Sequence, residues 1–171
     1  MQTVKIVAKI LFYISGLLAG FYLVVPAYSA LSLLTGWWLE LGEGGNRFYI
    51  CYPFTETHFL IGQYHLPYIV FNFLLPLLCY GLFFWLLAQV FRVFFQPKLF
   101  TEVGVAHLSR FYQANFLVPS LVTILMSFFV DLDNVTWVLI GAHAIMGVFA
   151  YFLAAIFRQG VHLQHEQDLF V

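Results

Sequence analysis

Charge is what this sequence has least of. Only 9% of its 171 residues are Asp, Glu, Lys or Arg, against 63% that are hydrophobic. Soluble domains run nearer about 25% charged and about 45–50% apolar, and a chain this short has no interior able to hide such an excess. A soluble fold is excluded. The basic residues form no stripe that would neutralise phosphates, which excludes direct nucleic-acid binding. No Gly-rich phosphate loop, Walker-type motif or nucleophile–base pair occurs. No Asp, Glu, Lys or Arg lies in the middle of an apolar run, where an ion pathway or an intramembrane catalytic site would need one. The chain therefore reads as non-enzymatic, with no catalytic, cofactor-binding or metal-binding residues to assign. Cysteine is scarce too. Cys51 and Cys79 fall in different segments and make no disulfide framework. They read as a free outer thiol and an apolar core cysteine.

What the sequence does have is long apolar runs. Leu66–Phe95 carries no charge until Arg92. As a helix it would reach about 45 Å, against a hydrocarbon core of roughly 30 Å. Similar runs cover residues 10–34, 111–130 and 135–157. The expected fold is an all-α membrane protein, one domain over 1–171, with four transmembrane helices in the lipid bilayer. An outer segment (35–65), an inner loop (96–110) and a tail (158–171) complete it. The first run could pass for a secretory signal, with Ala27 and Ser29 suiting the −3 and −1 sites of a cleavage motif, but it stays apolar through Leu34, longer than a signal core needs.

Charge sorted by side sets the orientation. Lys5, Lys9, Arg92, Lys98, Arg110 and Arg158 flank the runs on one side, and Arg47 alone lies on the other, with Glu40, Glu43, Glu56, Asp131 and Asp133. The positive-inside rule then places both termini in the cytoplasm, N-in/C-in.

Local signals refine the runs. Pro26, Pro76 and Pro119 would kink their helices or end the regular part. Thr101 followed by Glu102 reads as the N-cap and first turn of a new helix. Arg47–Tyr52 and Thr55–Ile61 read as two short strands. The outer segment is thus either a small hairpin or a re-entrant stretch lying on the membrane. Trp37, Trp38 and Tyr64 suit the interfacial belt. Small residues Ser15, Gly16, Ala19 and Gly20 in the first run, and Gly141, Ala144, Gly147, Ala150 and Ala154 in the fourth, could pack within the bundle or between copies of a homo-oligomer.

Histidines are the remaining chemistry. His162, His165 and Glu166, with His107 from the inner loop, are a weak metal pattern, and solvated tail histidines are the plainer account. Paired haem ligation by His143 and His65 would need one depth, and they differ by roughly 10 Å along the helices. His143 reads instead as an interhelical hydrogen-bonding residue, with Thr136 or Asn72 as partner. Asn72, Gln89, Gln113 and Asn115 have the same ordinary role.

Two cytoplasmic stretches carry a resemblance. The tail Ile156-Phe157-Arg158-Gln159-Gly160-Val161-His162-Leu163-Gln164-His165-Glu166-Gln167-Asp168-Leu169, and the loop Phe100-Thr101-Glu102 followed by Val105 and Leu108, resemble a bacterial membrane family catalogued as domain of unknown function 2975. Leu99 and Gly104 stand where that family has Pro and Asn. The resemblance implies four helices, a bacterial cytoplasmic (inner) membrane, no established activity, and encoding beside a small Xre-type helix-turn-helix regulator. The expected partner site is then Phe100, Thr101, Glu102, Arg158, Gly160, Leu163, Glu166, Asp168 and Leu169. Glu102, Glu166 and Asp168 could pair with Lys98, Arg110 or Arg158 and tie the cytoplasmic ends together. Two functions follow as expectations. One is a regulatory module whose inner loop and tail dock that cytoplasmic regulator. The alternative is a small-molecule, haem or redox protein using the bundle interior around His143.

Overall fold

The structure is a computed structural model that describes residues 2–42 and 44–168, the side chains of 167 and 168 excepted. Helix α1 spans Gln2–Thr35. A π-helical stretch, Tyr68–Leu74, runs into α2 (Leu75–Val93), and α3 (Glu102–Met126) and α4 (Asn134–Asp168) follow. Three of these segments, Gln2–Thr35, Tyr68–Val93 and Asn134–Glu166, are long and apolar enough to cross a membrane. The molecule is membrane-embedded, and its outward sides agree: Leu17 is 77% exposed and Leu34 86%. Helix α3 has 25 residues but places His107, Arg110, Gln113 and Asn115 between its start and its middle, which dilutes its hydropathy.

Helix α1 packs along α2 and α3 along α4, and the two pairs meet through α2 and α3. Gly81 lets α1 and α2 approach. A Cβ there would lie 2.8 Å from Leu23 and 3.3 Å from the Tyr22 carbonyl. That carbonyl is four residues before Pro26, which has no N–H to give it. Helix α1 nevertheless continues through Pro26 to Thr35, so this proline does not end the helix. The small face of α1 is divided: Ser15 and Ala19 are buried, while Gly16 and Gly20 have open space beside them. The π-helical turn precedes Pro76, which occupies the first turn of α2. Wider i→i+5 bonding there accommodates a ring that cannot join the i→i−4 ladder.

The buried core lies where α2, α3 and α4 converge, around Leu86, Val93, Leu108, Ala154, Phe157 and Val161. It explains a departure from expectation at the C-terminus. Residues 158–168 continue α4 instead of forming a separate tail. Phe157 and Val161, four apart, carry the apolar stripe one turn beyond the expected end of the span. Gly160 sits inside this helix because a Cβ would come 2.5 Å from the Phe100 ring.

The outer segment is richer than a hairpin. Strands β1 (Leu39–Leu41), β2 (Arg47–Cys51) and β3 (His58–Gln63) form an antiparallel sheet in the order β1-β2-β3. Phe48 and Ile50 are fully buried, and Phe48 meets Phe73 of the π-helical turn edge to face at 5.5 Å. Gly62 opposite Phe48 leaves room for that ring. Tyr28 of α1 donates to the Cys51 carbonyl at 2.6 Å, fastening the far side of the sheet. Trp38 and Phe54 adopt left-handed backbone angles, φ 55° and 64°, and their rings pack together at 5.4 Å.

Candidate functional site

At the end of the molecule that carries the inner loop, the structure brings the two motif stretches together. The Phe100 ring lies over Gly160 and meets Phe157 at 5.2 Å, edge to face. Thr101 caps α3, its Oγ1 accepting from the Gly104 amide at 3.0 Å. A Cβ on Gly104 would crowd Val93 at 2.9 Å. Phe100, Thr101 and Gly160 are therefore engaged in internal packing and capping. Glu102, Arg158, Leu163 and Glu166 are exposed. Asp168 closes α4, with its side chain outside the described residues, as is all of Leu169.

The expected ion pairs do not form among the described residues. Neither Glu102 nor Glu166 reaches Lys98, Arg110 or Arg158, and Glu166 instead faces His162 at 3.5 Å one turn back. Exposed pairs gain too little in water to hold long side chains in place, and a helical neighbour needs no such ordering. His107 lies half-buried on α3. Burial, and after it the cations Arg110 and Arg92, lower its pKa from the ordinary 6.5.

Between α2, α3 and α4 lies a cavity of about 170 Å³. Its wall is mostly apolar, including Pro76, Phe83, Leu86, Val118, Val122 and Leu139, with Asn115 and His143 as its convergent polar pair. Asn115 Nδ2 donates to the Phe111 carbonyl at 2.9 Å, which turns its amide oxygen toward His143. His143 Nδ1 stands 2.7 Å from that oxygen. An amide oxygen only accepts, so in the neutral imidazole Nδ1 carries the proton and Nε2 keeps a free lone pair. Phe83 holds the imidazole edge to face at 5.2 Å. The hydrogen-bond partner of His143 is thus Asn115, not Thr136 or Asn72. Thr136 bonds Asp133 and Asn72 is exposed, because helix rotation, invisible in the sequence, decides which residues face each other.

The haem arrangement is not assembled. His65 lies exposed, bonded to Gln63 at 2.9 Å and accepting from the Tyr68 amide, and takes no part in the cavity wall. An apolar cavity of roughly 150 Å³ holds a molecule the size of benzene. That is the scale of occupant this site suits.

A third cluster was not foreseen from the sequence. Glu40, Cys51 and His58, one from each strand, bring a carboxylate oxygen, a thiol and an imidazole nitrogen within 4.8 Å of one another. His58 Nε2 lies 3.0 Å from Glu40 Oε2, and the Tyr49 ring stacks on the imidazole at 4.5 Å. Cys51 is buried while Glu40 and His58 are exposed. Burial first, and then the Glu40 charge, raise the thiol pKa above its ordinary 9.0.

No family model matches the chain, and no curated protein or solved structure matches it either.

Proposed function

We propose that this chain is a non-enzymatic, multi-pass receptor module of a bacterial cytoplasmic membrane, with four crossings and both termini inside. Its ligand is a small, lipid-soluble molecule with one hydroxyl or N–H group, held in the cavity between α2, α3 and α4. One observation carries this reading: the His143–Asn115 pair sets an imidazole acceptor, His143 Nε2, on a residue lining a mostly apolar cavity, whose other polar groups are Cys79 and the hydroxyls of Tyr80, Thr123 and Thr136. Apolar cavities with few convergent polar groups are the usual form of small-molecule sites. The six-to-one split of basic residues supports the orientation.

A direct test is fluorine NMR of para-fluorophenol with the full-length protein in lipid nanodiscs. Line broadening that disappears in His143→Phe, and persists in His65→Ala, is the expected result. Equal broadening in wild type and His143→Phe would overturn the reading, since lipid partitioning alone would explain it.

A second reading concerns the output. Val103, 66% exposed, and Leu163, 58% exposed, each follow by three residues in sequence one partner of the Phe100–Gly160 contact, and Glu102 and Glu166 are exposed with them. This supports the cytoplasmic end as a docking face for a small helix-turn-helix regulator. Recovery of that regulator in a pull-down should fall at least tenfold when Glu166→Lys and Asp168→Lys are combined. Unchanged recovery removes this part of the proposal.

A further inference from the structure

The geometry points to a zinc-binding site on the outer sheet, made by Glu40, Cys51 and His58. Strand register builds it. Glu40 pairs with Tyr49, so both lie on one face of the sheet, and Cys51, two residues on, shares that face. In regular register Ile50 opposite Leu60 would put Phe59 beside Cys51. The pairing slips at that point, leaving Phe59 unpaired and setting His58 opposite Cys51. A bulge of this kind re-aims a side chain. Here it delivers an imidazole to a thiol.

The donor set is that of zinc. A thiolate, an imidazole and a carboxylate together suit a borderline divalent ion, whereas magnesium and calcium take oxygen ligands alone. Around tetrahedral zinc, nitrogen and oxygen donors sit about 3.3 Å apart, and sulfur and oxygen about 3.6 Å apart, from the usual bond lengths. The His58 Nε2 to Glu40 Oε2 distance of 3.0 Å is already close to that, and all three donors lie within 4.8 Å. On binding, the thiol loses its proton to solvent, and thiolate and carboxylate balance the two charges of the ion. Three protein ligands leave a fourth position for water, on the side where Glu40 and His58 are exposed. The ion would join β1 to β3 across β2, two strands that do not pair directly. Stacking by Tyr49 orients the imidazole, as outer residues do around metal ligands generally.

The test uses the full-length protein carrying no histidine tag, in detergent, titrated with Co²⁺ as a spectroscopic probe and with Zn²⁺ in a thermal melt. Wild type and Cys79→Ser should both show thiolate-to-cobalt charge transfer in the near ultraviolet, and Zn²⁺ should raise their Tm. Cys51→Ser should lose the charge-transfer band. Because Cys51 is buried, the deciding variants are the exposed Glu40→Gln and His58→Gln, in which Zn²⁺ affinity should fall at least tenfold while the metal-free Tm is kept. A featureless wild-type spectrum, or Zn²⁺ affinity unchanged in both Glu40→Gln and His58→Gln, overturns the assignment.

Discussion

At the residue scale, single contacts account for features that composition leaves unexplained. Gly160 looks like a helix terminator in sequence, yet it is interior, because the Phe100 ring occupies the space of its missing Cβ. Gly160→Ala should cost about 1–3 kcal/mol by overpacking. Much of that should return in the Phe100→Leu background, measured as a double-mutant cycle of Tm in detergent. Ser32 is the counterpart. Its hydroxyl is fully buried and is without a hydrogen-bond partner among the described residues, unlike Ser29, which donates to the Val25 carbonyl at 2.8 Å. An unpaired buried hydroxyl is a liability of about 1–3 kcal/mol. Ser32→Ala should therefore leave stability unchanged or raise it, and a fall in Tm would show a missed partner. None of this was legible in the sequence, where Ser29 and Ser32 have the same neighbours in kind. Both are fully buried; the difference is that the Ser29 side chain turns back to its own helix and that of Ser32 does not.

Elements were legible in proportion to their length and regularity. The apolar runs gave the helices, and Thr101 was readable as a cap because a β-region hydroxyl residue before an acidic first turn has few other uses. Thr101→Ala should cost about 1 kcal/mol, seen as a lower Tm with α3 amides exchanging faster in its first turn. Helix α4 was harder to bound. Polar residues after Arg158 suggested a free tail, while Phe157 and Val161 kept the core stripe going. Strand β1 is three residues long and gave no signal, and without it Glu40 had no reason to be placed beside His58. The bulge at Phe59 is equally silent, which is why the Glu40, Cys51 and His58 cluster emerged only with the sheet register.

Helix α3 also carries a pH response through His107. Its pKa is lowered in the folded chain by burial and by Arg110 and Arg92. The unfolded chain takes up that proton first, so stability falls as pH drops through the ordinary value of 6.5 and levels off below the folded one. The loss of Tm from about pH 7.5 to about pH 5.5 should be smaller in His107→Gln.

For the whole molecule, the proposed account joins a cavity in the outer part of the helices to a cytoplasmic end through one continuous helix. His143 and Leu163 both belong to α4, about 30 Å apart at 1.5 Å per residue. A helix of that kind has no break between the proposed ligand and the proposed docking face. Its orientation is testable with a membrane-impermeant thiol reagent on intact cells. Thr57→Cys should label at once and Leu163→Cys only after permeabilisation, and the reverse order would invert the topology. The proposed helix-turn-helix partner rests on the resemblance of the loop and tail alone, and the proposed sides rest on the charge asymmetry. The packing between Phe100 and Gly160 explains, without any partner, why those two residues occur together.

The most direct measurement of the central claim is hydrogen–deuterium exchange of the full-length protein in nanodiscs, with and without phenol. Binding at His143 is expected to slow exchange along α4 as far as residues 160–166, and to do so in wild type but not in His143→Phe. Protection confined to the cavity wall, with 160–166 unchanged at saturating phenol, would contradict it: the cavity would then be a ligand site with no line to the cytoplasmic end.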